Sequence, residues 1–311
     1  MTVRLDAFDH HSAGAALVTG ASSGIGEAIA TALAERGSPH LVLVARDRDR
    51  LEAAASALRD RHGARVDAVV ADLSTRDGPG DVFAETERLG ISVGLLVNGA
   101  GVASQGPFEA ADGPIADELV CTNVLAMTTL TRLYLPAMLR RGRGGIINVA
   151  SNAAYIPVPY SAAYVASKAY VLSLSEALWV ENRHRGVRVV AVVPGVTRTN
   201  LAGPGQGETR PGLTVSVSEP HEVASVALGL LDRNQASGVV GGRNLMVAAV
   251  SRVMPRRLAA EVLGSLKRPA SRPAAEAPFP LMGLALMSLA GVSAIGLGVG
   301  AVRRRASKVR L

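Results

Sequence analysis

The sequence predicts an α/β protein: a doubly wound parallel sheet of about seven strands followed by a C-terminal hydrophobic helix. Three observations carry this. Short apolar runs alternate with amphipathic stretches of helical length, the pattern of strand–helix units on a parallel sheet. The apolar runs are continuous in Val, Ile and Leu, as in strands covered on both faces. A Gly-rich turn joins the first run to the first amphipathic stretch, where a doubly wound sheet places one.

The elements follow in order. Residues 15–19 read as the first strand and 24–36 as a helix closed by Gly37, since Gly takes the left-handed conformation that ends helices. Strand two is 41–45. The helix over 47–62 gathers Leu51, Ala54, Ala55 and Leu58 on one face. Strand three is 66–70, a helix covers 78–89, and strand four is 95–97. A long helical stretch spans about 112–140, with Pro136 as a place for a kink. Strand five is 145–150, a long helix covers 161–185, strand six is 187–193 and a helix covers 219–232. The segment around 239–247 is expected to supply the seventh strand. Residues 201–218, rich in Gly, Pro, Ser and Thr, read as a mobile loop over the site.

Composition narrows the classes. Hydrophobic residues are 48% and charged residues 19%, which suits a buried core and excludes a highly charged disordered chain. One Cys excludes a disulfide framework and a Cys-rich zinc site. The six His show no metal-ligand spacing, so no metal is expected, and Cys121 reads as a packed helix residue. The net charge of +7 is unevenly placed: residues 251–311 hold 11 of the 33 Lys+Arg and 2 of the 26 Asp+Glu, a net of +9 that leaves −2 on residues 1–250. That acidic body, with 3% aromatics, is a poor surface for nucleic acid.

We read residues 12–250 as the catalytic domain, 251–278 as a basic surface helix and linker, 279–302 as a candidate membrane segment and 303–311 as a basic tail. The 24 residues 279–302 carry no charge, and Arg303-Arg304-Arg305 follows. As a helix they would span about 36 Å against a hydrocarbon core of about 30 Å. Their five Gly suit membrane packing better than a soluble helix. The alternative is a buried helix, such as one at a homo-oligomer interface. Asp6, Asp9, His10 and His11 interrupt any signal-peptide core. Membrane association, with the catalytic domain on the cytoplasmic side, is the expected location.

The chemistry-bearing residues gather where strands end. Thr19-Gly20-Ala21-Ser22-Ser23-Gly24-Ile25-Gly26 follows strand one. Three Gly at this spacing let the backbone approach a pyrophosphate at a helix N-terminus. The triplet alone would arise by chance about 0.4 times in such a chain, so its place between strand and helix is what raises it. Gly20, Ser22 and Gly24 also fit the nucleophile elbow of α/β-hydrolases, but no oxyanion loop precedes them.

Tyr164 and Lys168 lie four apart on the long helix after strand five, on one face. A chance Tyr-x-x-x-Lys is expected about 0.05 times, a sharper signal. An ammonium beside a phenol lowers the phenol's pKa and fits it for proton exchange with a carbonyl oxygen; a surface pair is the alternative. Ser151 ends strand five and can hold the same oxygen. Asn123 sits mid-helix, where it either faces solvent or opens a backbone site for a water. Strand two ends at Arg46, a planar fork for a ribose 2′-phosphate, whereas the neighbouring Asp47 could reach a ribose hydroxyl. A solvated arginine is the alternative for Arg46.

Taken with Asp72-Leu73 after strand three, Asn98-Gly99-Ala100-Gly101 after strand four and Pro194-Gly195 after strand six, these motifs resemble the short-chain dehydrogenase/reductase family over about residues 12–250. The resemblance implies a Rossmann-type fold and an NADP-dependent oxidoreductase that interconverts a ketone and a secondary alcohol, with NAD the less favoured cofactor. It implies Tyr164 as acid/base, Lys168 lowering its pKa and bonding the nicotinamide ribose, Ser151 orienting the substrate carbonyl, and Asn123 holding a water in a relay to Lys168. It implies cofactor contacts from Gly20, Ser22, Ser23, Gly24, Ile25, Gly26, Arg46, Leu73, Asn98, Ala100 and Gly101, from Asp72 to the adenine, and from Pro194, Gly195 and Thr199 to the nicotinamide. Gly99 departs from the family's usual second Asn and is expected to loosen the turn without abolishing cofactor binding. A membrane tail points to a lipophilic substrate. A non-catalytic NADP-binding sensor or scaffold on the same fold is the second reading.

Overall fold

The structure, a computed structural model, describes residues 8–9, 14–110, 113–199, 201, 217–242, 244–245 and 254–267. Residues 1–264 form one compact unit and 265–311 a second. Within the first, seven parallel strands run in the order β3-β2-β1-β4-β5-β6-β7. They are β1 (Ala15–Thr19), β2 (His40–Ala45), β3 (Arg65–Val70), β4 (Val93–Asn98), β5 (Gly144–Val149), β6 (Val187–Val193) and β7 (Ser237–Val239). The doubly wound sheet stands as expected. The C-terminal hydrophobic helix lies outside the described residues, as do most of loop 201–218 and the tail beyond 267.

Both faces of the sheet are covered, so every residue of β1 is buried and alternate side chains enter different layers. Ala16 and Val18 join a core with Ile29 and Leu33 of helix α1 (Gly24–Glu35) and with Val223, Ala227 and Leu228 of α7 (Pro220–Asp232). Leu17 points the other way, into a core with Leu130, Tyr134 and Met138 of α5 (Met127–Arg140). Helix α2 (Arg48–His62) is capped by Asp47, whose side chain accepts from the Arg50 N–H at 3.1 Å, and ends at left-handed Gly63. Helices α3 (Gly78–Arg88), α6 (Ala162–Asn182) and α8 (Arg256–Lys267) follow β3, β5 and β7 in the chain.

Three elements depart from expectation. The 112–140 stretch is two helices, α4 (Gly113–Val120) and α5, joined by a π-helical segment at Cys121–Ala126. Asn123 lies in that segment with its side chain bonded to a neighbouring loop, and such widened turns are frequent at functional sites. The seventh strand is short and earlier than 239–247: Ser237–Val239 pairs with Ala191–Val193, and Gly241, at φ +84°, turns the chain away. Phe8, ahead of the expected domain start, is 6% exposed, and its N–H donates to Asp232 Oδ1 at 3.2 Å.

Candidate active site

The end of β1 is built around one hydroxyl. Thr19 Oγ1 donates to Val97 O at 3.2 Å and accepts from the N–H groups of Gly99 and Ala100, each at 3.1 Å. This ties the loop after β1 to the loop after β4. Gly20 needs φ +67°, and a Cβ there would lie 2.8 Å from Ala100 Cα. A Cβ on Gly26 would lie 2.3 Å from Gly20 O. Gly99 belongs to the same contact: a Cβ there would come within 2.7 Å of Thr19 O. The departure at Gly99 therefore fits a tight turn, not the loosened one expected. We expect Gly26→Ala to cost about 1–3 kcal/mol by overpacking, seen as a lowered denaturation midpoint together with lost NADPH binding; an unchanged midpoint would mean the loop gives way freely.

Ser22, Ser23 and Gly24 lead into α1, and Ser23 makes no side-chain cap bond, so the first amides of the helix face the loop without a side-chain acceptor from it. Ile25 packs against the core. Thr199 reaches over from the segment after β6: its Cγ2 lies 3.1 Å from the place of a Gly24 Cβ. Pro194 O accepts from Asn152 N–H at 2.8 Å, joining the ends of β5 and β6. Gly195 lies against Asn244, whose Nδ2 would be 2.3 Å from a Cβ there.

Asp72 accepts from the Ser74 N–H at 2.9 Å and its Oγ at 2.7 Å, and these bonds hold its carboxyl below the usual range, with Arg46 adding to the effect. Leu73 is buried in the core. Asn98 turns inward: its Nδ2 donates to Asn148 Oδ1 at 2.8 Å and Thr131 Oγ1 at 3.3 Å, while Asn148 Nδ2 donates to Ser175 Oγ at 2.8 Å. Among the described residues, Asn98 Oδ1 has no partner.

Ser151, Tyr164 and Lys168 come together. Ser151 follows β5, is 7% exposed and caps the short turn Asn152–Tyr155, accepting from Ala153 N–H at 3.2 Å. Its hydroxyl neighbours the phenol of half-buried Tyr164. Lys168 Nζ donates to Val149 O at 2.9 Å and stands 5.9 Å from the Tyr164 ring centroid. Burial brings the Lys168 ammonium down to about 8. Burial also pushes the Tyr164 phenol up, with the Ser151 hydroxyl pulling it partly back. The expected influence of Lys168 does not enter this balance, which is set by burial and Ser151, and the ammonium donates to Val149 O.

Asn123 is 2% exposed and clamps the loop after β4. Its Oδ1 accepts from Val102 N–H at 2.8 Å, and its Nδ2 donates to Val102 O at 2.9 Å and Ser167 Oγ at 3.0 Å. It does not face solvent. Gly101 completes the pocket, since a Cβ there would lie 3.6 Å from Lys168 Nζ. Arg46 forms an ion pair with Glu118 at 2.6 Å, and Asp47 is occupied as the cap of α2. Sequence reasoning missed Ser167, Asn244 and Glu118. Only Ser167 carried a signal, three residues after Tyr164 on the same helix face, where its Oγ donates to Tyr164 O at 2.7 Å. Among the described residues, no group of three or more His, Cys, Asp or Glu is placed to hold a metal.

A glycine-lined cradle at the first βα turn, opposite a Ser–Tyr–Lys set at the end of β5, defines an oxidoreductase on a dinucleotide-binding fold. The short chain dehydrogenase family profile matches residues 14–208. The chain belongs to the short-chain dehydrogenase/reductase family. It is 34% identical over 192 residues to a very-long-chain 3-oxoacyl-CoA reductase of Anas platyrhynchos, a match covering 60% of this chain and 61% of the relative. A solved short-chain dehydrogenase from Sphingobium yanoikuyae in complex with NADPH superposes with a TM-score of 0.68 at 34% identity, covering 85% of this chain and 99% of that one. The bulky-bulky ketone specific alcohol dehydrogenase of Comamonas testosteroni gives 0.66 at 30% identity, covering 86% and 99%.

Proposed function

We propose that the protein is an NADP-dependent oxidoreductase that interconverts a ketone and a secondary alcohol on a lipophilic substrate. The convergence of Ser151, Tyr164 and Lys168 beside the Gly20–Gly26 cradle carries this reading. The cradle fits a dinucleotide because Gly20 and Gly26 let the turn after β1 close tightly on itself and on Ala100, and Gly101 puts no side chain beside Lys168 Nζ. NADPH, when bound, supplies the hydride. Ser151 holds the substrate oxygen, Tyr164 gives that oxygen its proton, and Lys168 stands within reach of a ribose and of the phenol to restore it. The relatives support the cofactor and the substrate class: one solved neighbour carries NADPH, one is specific for bulky-bulky ketones, and the curated relative is a very-long-chain 3-oxoacyl-CoA reductase.

Apolar side chains also stand exposed on segments that leave the same edge of the sheet: Phe108 after β4, Val196 and Leu201 after β6, and Leu245 after β7. They give a long hydrocarbon something to lie on. NADPH oxidation measured against short, long-chain and polycyclic ketones tests the reading. We expect the long or polycyclic ketones to have the highest kcat/KM; binding of NADPH without turnover of any ketone would instead favour a sensor or scaffold.

Arg46 is the residue we assign to the 2′-phosphate, and Asp47 caps α2 through its Oδ1. Arg46→Ala should weaken NADPH binding by about 1.5–3 kcal/mol, the range for charged hydrogen bonds, and leave NADH nearly unchanged. Equal losses for both cofactors in a fluorescence titration would make Arg46 structural.

We also assign residues 279–302 to membrane attachment, on their length and lack of charge. Among the described residues, no helix is long and apolar enough to cross a membrane, and this segment lies outside them. A chain ending at Arg272 should keep its activity on small ketones, and the full chain should stay with membranes through an alkaline carbonate wash. Recovery of the full chain in the soluble fraction would remove both the attachment and the support it lends to a lipophilic substrate.

A further inference from the structure

An ion pair joins Arg46, the residue assigned to the 2′-phosphate, to Glu118. In the strand order, β2 and β4 flank β1. Arg46 directly follows β2, and Glu118 sits on α4, the helix after β4. The bond between them joins elements that follow the two neighbours of β1, the strand that carries the Thr19–Gly26 turn. The order of strands reverses between β1 and β4, and the crevice at that reversal is where such sheets take a dinucleotide.

The pair is short, at 2.6 Å, and uneven in exposure: the Arg46 side chain is 67% exposed and that of Glu118 28%. Arg46 is thus the open, movable end and Glu118 the more anchored one. Other carboxylates are close by but engaged elsewhere. Asp47 caps α2, and Asp72 is bound to Ser74 while still feeling the charge of Arg46.

We propose that Glu118 is a cofactor-discriminating residue: it occupies the Arg46 guanidinium until a ribose 2′-phosphate displaces it, and so weakens NADPH binding without touching NADH binding. This rests on the reading of Arg46 as the 2′-phosphate residue. A phosphate on Arg46 brings close to two negative charges beside the Glu118 carboxylate, and the two anions compete for one fork. A ribose with a free 2′-hydroxyl brings no such charge and leaves the pair in place. The ion pair therefore narrows the preference that Arg46 creates.

Glu118→Gln keeps the shape of the side chain and removes its charge. Exposed ion pairs are worth little, which sets the expected gain: NADPH should bind about two- to five-fold more tightly, with NADH unchanged, in fluorescence titrations of the full chain. The gain should shrink as salt is raised, because the competing charges are solvent-exposed. Unchanged or weaker NADPH binding, or an equal gain for NADH, would overturn the proposal. Arg46→Ala separates the two ideas. A selective loss of NADPH in Arg46→Ala with no gain in Glu118→Gln defeats the role of Glu118 alone. Equal losses of both cofactors in Arg46→Ala defeat the Arg46 reading and this proposal with it.

Discussion

Tyr164→Phe should lower turnover by at least about 10²-fold, the scale of losing a positioned general acid, while NADPH binds as before. The phenol oxygen is the only heavy atom removed, and the Thr19 bonds to Val97, Gly99 and Ala100 that hold the cradle do not involve it. Lys168 would still donate to Val149 O, and Ser151 would still cap its turn. Single-turnover measurement with saturating NADPH isolates the chemical step. Near-normal turnover would mean that another group delivers the proton.

Lys168→Met should abolish turnover on the same scale and yet make the protein more stable at neutral pH. The folded-state pKa of Lys168 is about 8, against 10.5 for an ordinary lysine. The folded chain consequently holds fewer protons than the unfolded chain between those values, and its stability rises with pH across that window. Below pH 8 the fold carries the whole cost of burying the ammonium, on the order of 3 kcal/mol. Methionine avoids that cost but leaves Val149 O without its donor, an offset of about 1 kcal/mol or more. The expected gain is about 1–2 kcal/mol at pH 7, disappearing by pH 10, where the wild-type lysine has shed much of its charge. Denaturant titrations at the two pH values check it: a Lys168→Met chain less stable at pH 7 would mean that the bond to Val149 outweighs desolvation.

The parts of this site that were legible in the sequence are those carried by spacing. Glycines at 20, 24 and 26 after an apolar run, and a tyrosine four residues before a lysine, determine which atoms share a turn or a helix face before any tertiary structure is known. The strands were legible for a related reason, since a run such as Val189–Val193 has no polar face to leave in water. What escaped depended on contacts distant in the chain. Asn123 looked like an awkward helix residue because its partner Val102 lies in a loop 21 positions away. Glu118 is separated by 72 positions from Arg46. The direction of the Tyr164 shift depends on how much water surrounds the phenol, a property of the assembled fold and not of the i, i+4 spacing. The seventh strand was misplaced because Ser237-Gly238-Val239 has little apolar character of its own and is a strand through its pairing with β6.

The burial of Phe8 bears on the order in which the protein is made. Its amide bonds Asp232, 224 positions later, and its ring lies near Gly145 of β5 and under the guanidinium of Arg188. During synthesis, β1 and β2 emerge early and can begin to associate, but Gly145, Arg188 and Asp232 reach Phe8 only once β5, β6 and α7 have followed. At translation rates of about 5–20 residues per second, that interval is on the order of 10–40 s. Throughout it a large aromatic side chain, and the open edge of β1 that will receive β4, stay accessible to chaperones and to other nascent chains.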